Sequence, residues 1–309
     1  MSAAERILSI GPRPRQKPRL TVLTPFHKHD PSPLLNALRG APDGVEFVLL
    51  DDGSASAHLL ADVAHAAEEL AAPVRIVVWE QNQGRAAGRN RLIAEARGEY
   101  VLFLDADMIP DAPNFLAIWL GFINWQRPFV AFGGLSLRHT AATRETALHH
   151  GLFARSDCKP AYMRERSPAQ SVATANLLVR RDFLDAHPFD NNFVGWGFED
   201  VDWALSAAKH APIAHIDNPA THAGLDDVDA LMRKSREAGP NFARLARKHP
   251  RQVARFAAHR AARALKLAPD WLRSVFAWLA RDPMGAAPMP LRCAALKLYR
   301  ASHYAEHLP

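Results

Sequence analysis

Four short apolar segments without polar alternation constrain the fold of this chain more than any other feature. They span residues 20–23, 45–50, 74–79 and 100–104, and helix-like patterns at 34–38, 55–71 and 85–97 separate them. Strands that lack a polar face are buried on both sides. This alternation of strands and helices predicts a parallel sheet that helices cover on both faces, and hence an α/β fold.

The residues that follow these strands are the expected location of a ligand. In open parallel sheets, ligands bind beyond the carboxyl ends of the strands. Three of the four predicted strand ends carry groups that can bind a metal or a polar ligand. The four ends are Thr24-Pro25-Phe26-His27, Asp51-Asp52-Gly53-Ser54, Glu80-Gln81-Asn82-Gln83-Gly84 and Asp105-Ala106-Asp107.

One residue separates Asp105 from Asp107, so their carboxylates leave the strand end on the same side. Two oxygen ligands at that spacing suit Mg²⁺ or Mn²⁺ shared with a diphosphate. A polar strand end without a ligand is the alternative, since this pattern also arises by chance. Likewise, Asp52 either belongs to a simple turn or offers a carboxylate to a ribose or a base edge.

The segment after the third strand carries two glycines, Gly84 and Gly88, inside a helical pattern. Each costs a helix about 1 kcal/mol relative to alanine. Close approach of the backbone to a ligand would account for this cost. Arg85 and Arg89 are either phosphate contacts or solvated surface residues.

The second half of the chain is less regular. Acidic residues suit the first turn of a helix, so a helix should begin within the aromatic and acidic run 195–203. The other predicted elements are a strand ending at Gly133-Gly134, a helix near 143–152, strands at 175–179 and 213–216, and a helix over 226–248 interrupted at Gly239-Pro240.

Together these segments resemble the family 2 glycosyltransferases of GT-A fold, over residues 18–250. The matching pieces occur in the order of that family, and the last is similar to the signature of the β-1,4-galactosyltransferase and chondroitin-polymerase group. They are Thr-Pro-Phe (24–26), Asp-Asp-Gly-Ser (51–54), Asn-x-Gly-x-x-x-x-Arg-Asn (82–90), Phe-Leu-Asp-Ala-Asp (103–107), the stretches 175–183 and 189–193, and Gly-Trp-Gly-Phe-Glu-Asp (195–200).

The resemblance implies a Rossmann-like GT-A fold with a mostly parallel sheet and a helical C-terminal extension. It also implies inverting, metal-dependent transfer of a Gal-, GalNAc- or GlcNAc-type sugar from a UDP-sugar to a hydroxyl of a glycan or lipid-linked acceptor. Mn²⁺ or Mg²⁺ would be the cofactor. The chain departs from the family pattern at Gly88, where alanine is usual, and at His187-Pro188, where a glycine pair is usual.

The same resemblance implies a role for individual residues. Asp200 would be the general base, and Asp105, Asp107 and His222 would bind the metal. The substrate-binding residues would be Pro25, Phe26, His27, Asp52, Asn82, Arg89, Asp105, Trp196 and Glu199. This chemistry is self-consistent, because a metal would offset the charge of the departing diphosphate and a base would accept the proton of the acceptor hydroxyl.

Two other function classes remain open from the sequence. Asp105 and its neighbours also resemble motif I of haloacid-dehalogenase-like phosphatases, in which the first aspartate is a nucleophile. That motif normally opens its domain and continues differently after Asp107. A non-catalytic nucleotide-sugar-binding protein on the same fold is the second alternative, since fold does not establish activity.

Charge divides the chain unevenly. Residues 251–309 hold ten Lys or Arg against three acidic residues, a balance of +7 within a total of +6. This argues against a nucleic-acid binder and for a tail with an anionic partner, such as a membrane face. A stripe that includes Trp271 and Trp278 either packs on the body or contacts lipid, and packing is slightly favoured.

Three regions are therefore predicted: a flexible segment 1–17, a GT-A domain 18–250 and a basic amphipathic helical tail 251–309. Cys158 and Cys293 lie far apart without CxxC spacing, so neither a disulfide framework nor a cysteine zinc site is expected. The N-terminal residues lack the apolar core of a signal peptide, and no apolar run approaches 18 residues. A cytoplasmic protein, with possible peripheral membrane contact, is the expectation.

Overall fold

The computed structural model of the protein describes residues 5–14 and 16–308. The strands are β1 (Glu5–Ile10), β2 (Leu20–Phe26), β3 (Val45–Asp52), β4 (Val74–Trp79), β5 (Tyr100–Phe103), β6 (Met108–Pro110), β7 (Val130–Phe132), β8 (Leu135–Ser136), β9 (Leu177–Arg180), β10 (Ile213–His215) and β11 (Ala220–His222). The α-helices are α1 (Ser32–Ala37), α2 (Ala57–Glu68), α3 (Arg85–Glu95), α4 (Phe115–Gln126), α5 (Ala147–Ser156), α6 (Ala161–Arg164), α7 (Arg181–Ala186), α8 (Glu199–Ala207), α9 (Val228–Glu237), α10 (Gly239–Lys248), α11 (Pro250–Val253), α12 (Ala257–Leu265), α13 (Asp270–Arg281) and α14 (Met289–His307).

The main sheet has eight strands in the order β1-β4-β3-β2-β5-β9-β7-β10. Strands β4, β3, β2 and β5 run parallel, as the apolar segments predicted. Strand β9 runs antiparallel to both β5 and β7, so the complete sheet is mixed. Every residue of β3 and β5 is buried, which agrees with the absence of polar alternation in these strands.

Strand β1 corrects the prediction of a flexible segment 1–17 for residues 5–10, while residues 1–4 and 15 lie outside the described residues. It pairs antiparallel with β4, from Glu5 opposite Trp79 to Ile10 opposite Val74. The Glu5 carboxylate also accepts a hydrogen bond from the Trp79 indole N–H at 3.0 Å. Strand β1 thereby covers the otherwise unpaired hydrogen-bonding groups along the outer edge of β4.

A second, three-stranded sheet in the order β6-β11-β8 brings distant parts of the chain together. Strand β11 pairs antiparallel with β6, and His222 lies opposite Met108 in this register. Because Met108 directly follows Asp107, the pairing places His222 beside the end of the Asp105-Ala106-Asp107 segment. The small sheet is therefore the structural reason that these two residues meet.

The C-terminal helices pack on the body instead of extending from it. Helix α14 contacts α9, α10, α12 and α13, and buried residues of α10, α12 and α14 form one apolar cluster with Phe193 and Leu205. Helix α13 packs through Phe276, Leu279 and the buried Ala280. None of the helices within the described ranges is long and apolar enough to cross a bilayer.

Helix α13 also has an outward face, which was one of the two alternatives predicted for its tryptophan stripe. Trp271 is 64% exposed and Trp278 is 51% exposed, and Val275 lies exposed between them. The predicted stripe thus divides into two: one set of side chains packs on the body and the two tryptophans face solvent.

Candidate active site

Asp52, at the end of β3, forms hydrogen bonds with residues that follow the neighbouring parallel strands β2 and β4. Its carboxylate accepts the backbone N–H of Gln83 at 2.6 Å and of Gly84 at 3.1 Å. Its carbonyl oxygen accepts hydrogen bonds from Nδ1 of His27 at 2.8 Å and from Nδ2 of Asn82 at 3.2 Å. The residues predicted to surround a nucleotide at this edge are therefore brought together, and burial raises the pKa of Asp52 despite the two N–H bonds.

The predicted entry residues of the nucleotide site differ in exposure. His27 is exposed and Pro25 is half-buried. Phe26, however, is 3% exposed and belongs to the hydrophobic core. The prediction that Phe26 binds substrate is corrected, because its ring is buried in the hydrophobic core.

The glycines of this region have packing explanations. A Cβ on Gly53 would lie 2.4 Å from the Asn82 nitrogen, and the residue adopts a φ of +72°. A Cβ on Gly88 would lie 3.0 Å from a methyl group of Leu50. Gly88 therefore lets α3 approach β3 closely, which corrects the expectation that it admits a ligand.

Arg89 is the centre of a buried charge cluster. Its side chain is 1% exposed, and it donates hydrogen bonds to Glu199 at 2.8 Å and to Asp105 at 3.3 Å. Arg85 lies one turn earlier on α3 and reaches the same two carboxylates, at 3.1 Å from Glu199 and 3.6 Å from Asp105. The cluster joins helix α3, the end of β5 and the start of α8, so Arg89 is not a solvated surface residue.

Asp107 and His222 form a separate pair. Nε2 of His222 lies 3.2 Å from Oδ2 of Asp107. Burial opposes ionisation of both groups, but the hydrogen bond and the opposite charges lower the pKa of Asp107 and raise the pKa of His222. A Cβ on Gly224 would lie 2.3 Å from the same Asp107 oxygen, so only glycine fits there.

This pair fits a divalent cation as two of its ligands. Two donors about 2.1 Å from one ion at roughly right angles lie about 3 Å apart. Asp105 does not join them, because Arg89 and Arg85 bind its carboxylate. Within residues 5–14 and 16–308, no group of three or more His, Cys, Asp or Glu side chains could hold a metal ion. The three residues predicted to bind a metal are therefore not brought together: Asp107 adjoins His222, whereas Asp105 adjoins the two arginines.

The loop before α8 is held from helix α10. Asn241 is buried and its side-chain N–H₂ donates to the carbonyl oxygens of Val194 at 3.0 Å and Gly197 at 3.1 Å. Phe198 has the left-handed φ of +71°, a costly conformation for an aromatic residue. Its ring packs against Phe242, with centroids 5.2 Å apart, and against the ring of Tyr304 on α14 at 5.6 Å.

Sequence reasoning missed Asn241, Phe242 and Tyr304. The interruption at Gly239-Pro240 did predict a new helix beginning just before Asn241, and α10 begins at Gly239. No local signal shows which loop such a helix will contact, because the contact spans more than forty residues of chain.

The adjacent carboxylates Glu199 and Asp200 differ in their environments. Burial would raise the pKa of Glu199, but the charges of Arg85 and Arg89 lower it. For Asp200, burial and the negative charge of Glu199 raise the pKa to about 6. Asp200 accepts the Val201 N–H at 2.7 Å and is outside the ion pairs that hold Glu199.

A cavity of about 580 Å³ lies between these carboxylates and the C-terminal helices. Trp196 lines it, and the Lys234 ammonium lies 5.9 Å from the centroid of the Trp196 ring. Glu199, Asp200 and Asp105 also line the cavity, as do residues of α12 and α14. The predicted base and these three predicted substrate-binding residues therefore line one cavity.

Comparison with known proteins identifies the family. Residues 22–186, more than half of the chain, match the family described as Glycosyl transferase family 2. The chain belongs to glycosyl transferase family 2. It is accordingly a glycosyltransferase, as its ordered motifs predicted, and the haloacid-dehalogenase-like alternative is wrong.

Solved structures share the GT-A-like fold of this family 2 chain. One is the mannosyltransferase PcManGT from Pyrobaculum calidifontis, in complex with GDP-Man and Mn²⁺, with a TM-score of 0.58 and 19% identity over 96% of this chain and 89% of that one. Another is S. aureus TarS 1–349 in complex with UDP-GlcNAc, with a TM-score of 0.54 and 17% identity over 93% and 89%.

A curated relative is the succinoglycan biosynthesis protein ExoU of Rhizobium meliloti (strain 1021). It is 32% identical over 103 residues, a match that spans 30% of this chain and 30% of the relative. The chain thus matches less than a third of that relative's length.

The first prediction concerns the loop held by Asn241. Replacing Asn241 with Asp keeps the side-chain shape but removes the donor that faces three carbonyl oxygens, those of Val194, Trp196 and Gly197. Leaving buried polar groups unpaired typically costs about 1–3 kcal/mol, and more when a charge is involved. We expect Asn241→Asp to lower the free energy of unfolding by about 2 kcal/mol or more in denaturant titrations.

The matched control is Asn36→Asp, at an exposed position on α1. This variant should change the free energy of unfolding by less than about 0.5 kcal/mol, as is usual at the surface. Equal effects at positions 36 and 241 would contradict the proposed role of the Asn241 amide.

Proposed function

We propose that this glycosyltransferase transfers a Gal-, GalNAc- or GlcNAc-type sugar from a UDP-sugar to a hydroxyl of a glycan or lipid-linked acceptor, with inversion at the anomeric carbon. The observation that carries the proposal is the contrast between two neighbouring carboxylates. Both line the cavity, but two arginines bind Glu199, whereas Asp200 lies outside these ion pairs and its pKa is raised to about 6. A base with a pKa near the working pH is the group that such a transfer requires.

In the proposed step, Asp200 is the only proton acceptor required. The acceptor hydroxyl oxygen bonds to the anomeric carbon while the bond from that carbon to the diphosphate oxygen breaks. The hydroxyl proton passes to the Asp200 carboxylate, and UDP leaves with the bonding electron pair. General-base help of this kind is typically worth about 10²–10⁴-fold in rate.

The other residues of the site bind and position in this proposal. Asp52 and Asn82 shape the nucleotide edge of the sheet, together with His27. Arg89 and Glu199 act as positioning residues, because each binds the other and neither is free for substrate. Trp196 offers an aromatic face on which a sugar ring can stack.

A divalent cation would be held by Asp107 and His222, whose donor atoms are at a suitable separation. When bound, Mn²⁺ or Mg²⁺ supplies positive charge that offsets the developing charge of the departing diphosphate. The structurally similar mannosyltransferase PcManGT contains Mn²⁺ in its solved complex, which agrees with this proposal.

The donor assignment is the finer part of the proposal. Likeness of residues 195–200 to the β-1,4-galactosyltransferase and chondroitin-polymerase signature favours a UDP-sugar. One structurally similar protein was solved in complex with UDP-GlcNAc, and another in complex with GDP-Man.

Thermal-shift measurements with UDP, GDP and the corresponding nucleotide sugars, with and without Mn²⁺, test the identity of the donor directly. A ligand at 100 times its Kd stabilises by about 2.7 kcal/mol. Stabilisation by GDP but not UDP would overturn the UDP assignment.

Peripheral membrane contact is a further part of this proposal. Exposed Trp271, Val275 and Trp278 lie on one face of α13, and Leu267 precedes them in an exposed position. Tryptophans beside basic side chains suit the interface of an anionic bilayer. The exposed cations of the neighbouring segment are Arg260, Arg263 and Lys266.

The second prediction separates chemistry from binding. Asp200→Asn should lower kcat by about 10²-fold or more with little change in donor affinity, because the base acts on the acceptor. In the wild type, Asp200 must be ionised, so kcat should rise with pH until about 6 and then level off.

Glu199→Gln provides the comparison for that prediction. It should reduce kcat less than Asp200→Asn. It should also move the acidic limb of the pH profile to lower pH, since the charge of Glu199 helps raise the pKa of Asp200. A larger loss at Glu199 would show that the two roles are reversed.

The third prediction concerns the cation. Asp107→Asn and His222→Ala should each abolish the Mn²⁺-dependent part of the thermal stabilisation by UDP. The exposed Asp62→Asn on α2 is the control and should leave that stabilisation unchanged. Unaltered Mn²⁺ dependence in both site variants would remove these residues from the cation site.

The fourth prediction concerns the membrane. The double variant Trp271→Ala/Trp278→Ala should release the protein from anionic vesicles in co-sedimentation. Because both rings are half or more exposed, its loss of stability should fall well below the 3–5 kcal/mol that is typical of each buried aromatic, as measured by denaturation.

Phe276→Ala is the matched control for the tryptophans, since this ring lies on the packed face of α13. It should lower stability while the folded protein still binds vesicles. Binding should also weaken as salt screens the basic side chains. Undiminished sedimentation of the tryptophan double variant would refute the membrane contact.

A further inference from the structure

The cavity beside Asp200 has a second wall that the tail helices supply. Helix α12 contributes Ala257, Ala258 and Ala261, whose small side chains leave space. Helix α14 contributes the apolar Leu298. The side chains of these three alanines and of Leu298 offer no hydrogen bonds to a free sugar, but they suit an apolar chain.

Two cations stand on the same wall. Lys297 and Arg300 both line the cavity, and residues three apart lie on the same face of a helix. Arg300 donates from Nε to Ser235 Oγ at 3.2 Å. In the part of the chain that the structure describes, the ion pairs of α14 join Glu306 to Arg273 and His303, so neither Lys297 nor Arg300 has a carboxylate partner.

These cations differ from the arginines on the opposite side of the cavity. Arg85 and Arg89 are engaged by Glu199 and Asp105, so their charges are already balanced. Among the described residues, Lys297 and Arg300 instead form no ion pair with a carboxylate, and they lie next to an apolar wall. An anionic ligand group carrying an apolar chain complements both features.

We infer that the acceptor of this enzyme is a sugar joined through a phosphate or diphosphate to an apolar chain. The phosphate would contact Lys297 and Arg300, the chain would lie along the alanines of α12, and the reacting hydroxyl would face Asp200. This inference rests on the proposed glycosyl transfer and specifies the acceptor class for it.

The test uses decyl phosphate, decyl glucoside and inorganic phosphate as probes, each below its micelle concentration. Their affinities for the full-length protein are measured by calorimetry in the presence of UDP and Mn²⁺. Decyl phosphate should bind at least tenfold more tightly than either other probe, because only it carries both the chain and the charge.

Variants then assign the two parts of the ligand. Lys297→Gln and Arg300→Gln should each weaken decyl phosphate about tenfold, whereas Lys209→Gln, at an exposed position after α8, should have no effect. Ala261→Phe should fill the cavity and weaken decyl phosphate while UDP binding persists. Retained UDP binding in each variant shows that the protein is folded.

The outcomes separate this inference from the proposed function. UDP binding combined with equal affinity for decyl phosphate and decyl glucoside would overturn the anionic acceptor and leave the glycosyl transfer intact. Decyl phosphate binding that is insensitive to positions 261, 297 and 300 would also overturn it. If the protein binds decyl phosphate in a Lys297-dependent way but does not bind UDP, the proposed donor is rejected. The inferred class of ligand for the cavity is then upheld.

Discussion

The buried contacts of Arg89 with Glu199 and Asp105 organise this enzyme. They connect helix α3 and the end of β5, which follow each other in the chain, to the first turn of α8, which lies 110 residues beyond Arg89. Removing one partner of a buried ion pair typically costs about 3–5 kcal/mol, because a charge remains uncompensated. The same arginines lower the pKa of Glu199 and keep it ionised, and burial together with the charge of Glu199 raises the pKa of Asp200.

The C-terminal region is part of the site and not an appendage to it. Asn241 of α10 holds the loop before α8, and Tyr304 of α14 packs on the strained Phe198. Helices α12 and α14 also complete the cavity beside Asp200. Substitutions in residues 239–305 should therefore influence a reaction centre whose recognisable motifs all lie earlier in the chain.

The sequence predicted the central sheet well, because its strands are buried on both faces and carry no polar alternation. It predicted the break between α9 and α10 for a similarly local reason, the Gly239-Pro240 pair. It failed for β1, a strand whose pairing partner is the edge of β4, about 70 residues further along the chain. It also failed for Phe26 and Gly88, because packing explains why these residue types occur there and ligand contact does not.

The sequence by itself determined the family, the order of the strand ends and the presence of carboxylates at the right edge of the sheet, since these follow from local patterns. Only the tertiary structure decided which carboxylates are paired. Asp105 and Glu199 bind arginines, Asp107 meets His222 through the β6–β11 register, and Asp200 remains beside the cavity. Pairing depends on distances between residues remote in the chain, and no local pattern encodes those distances.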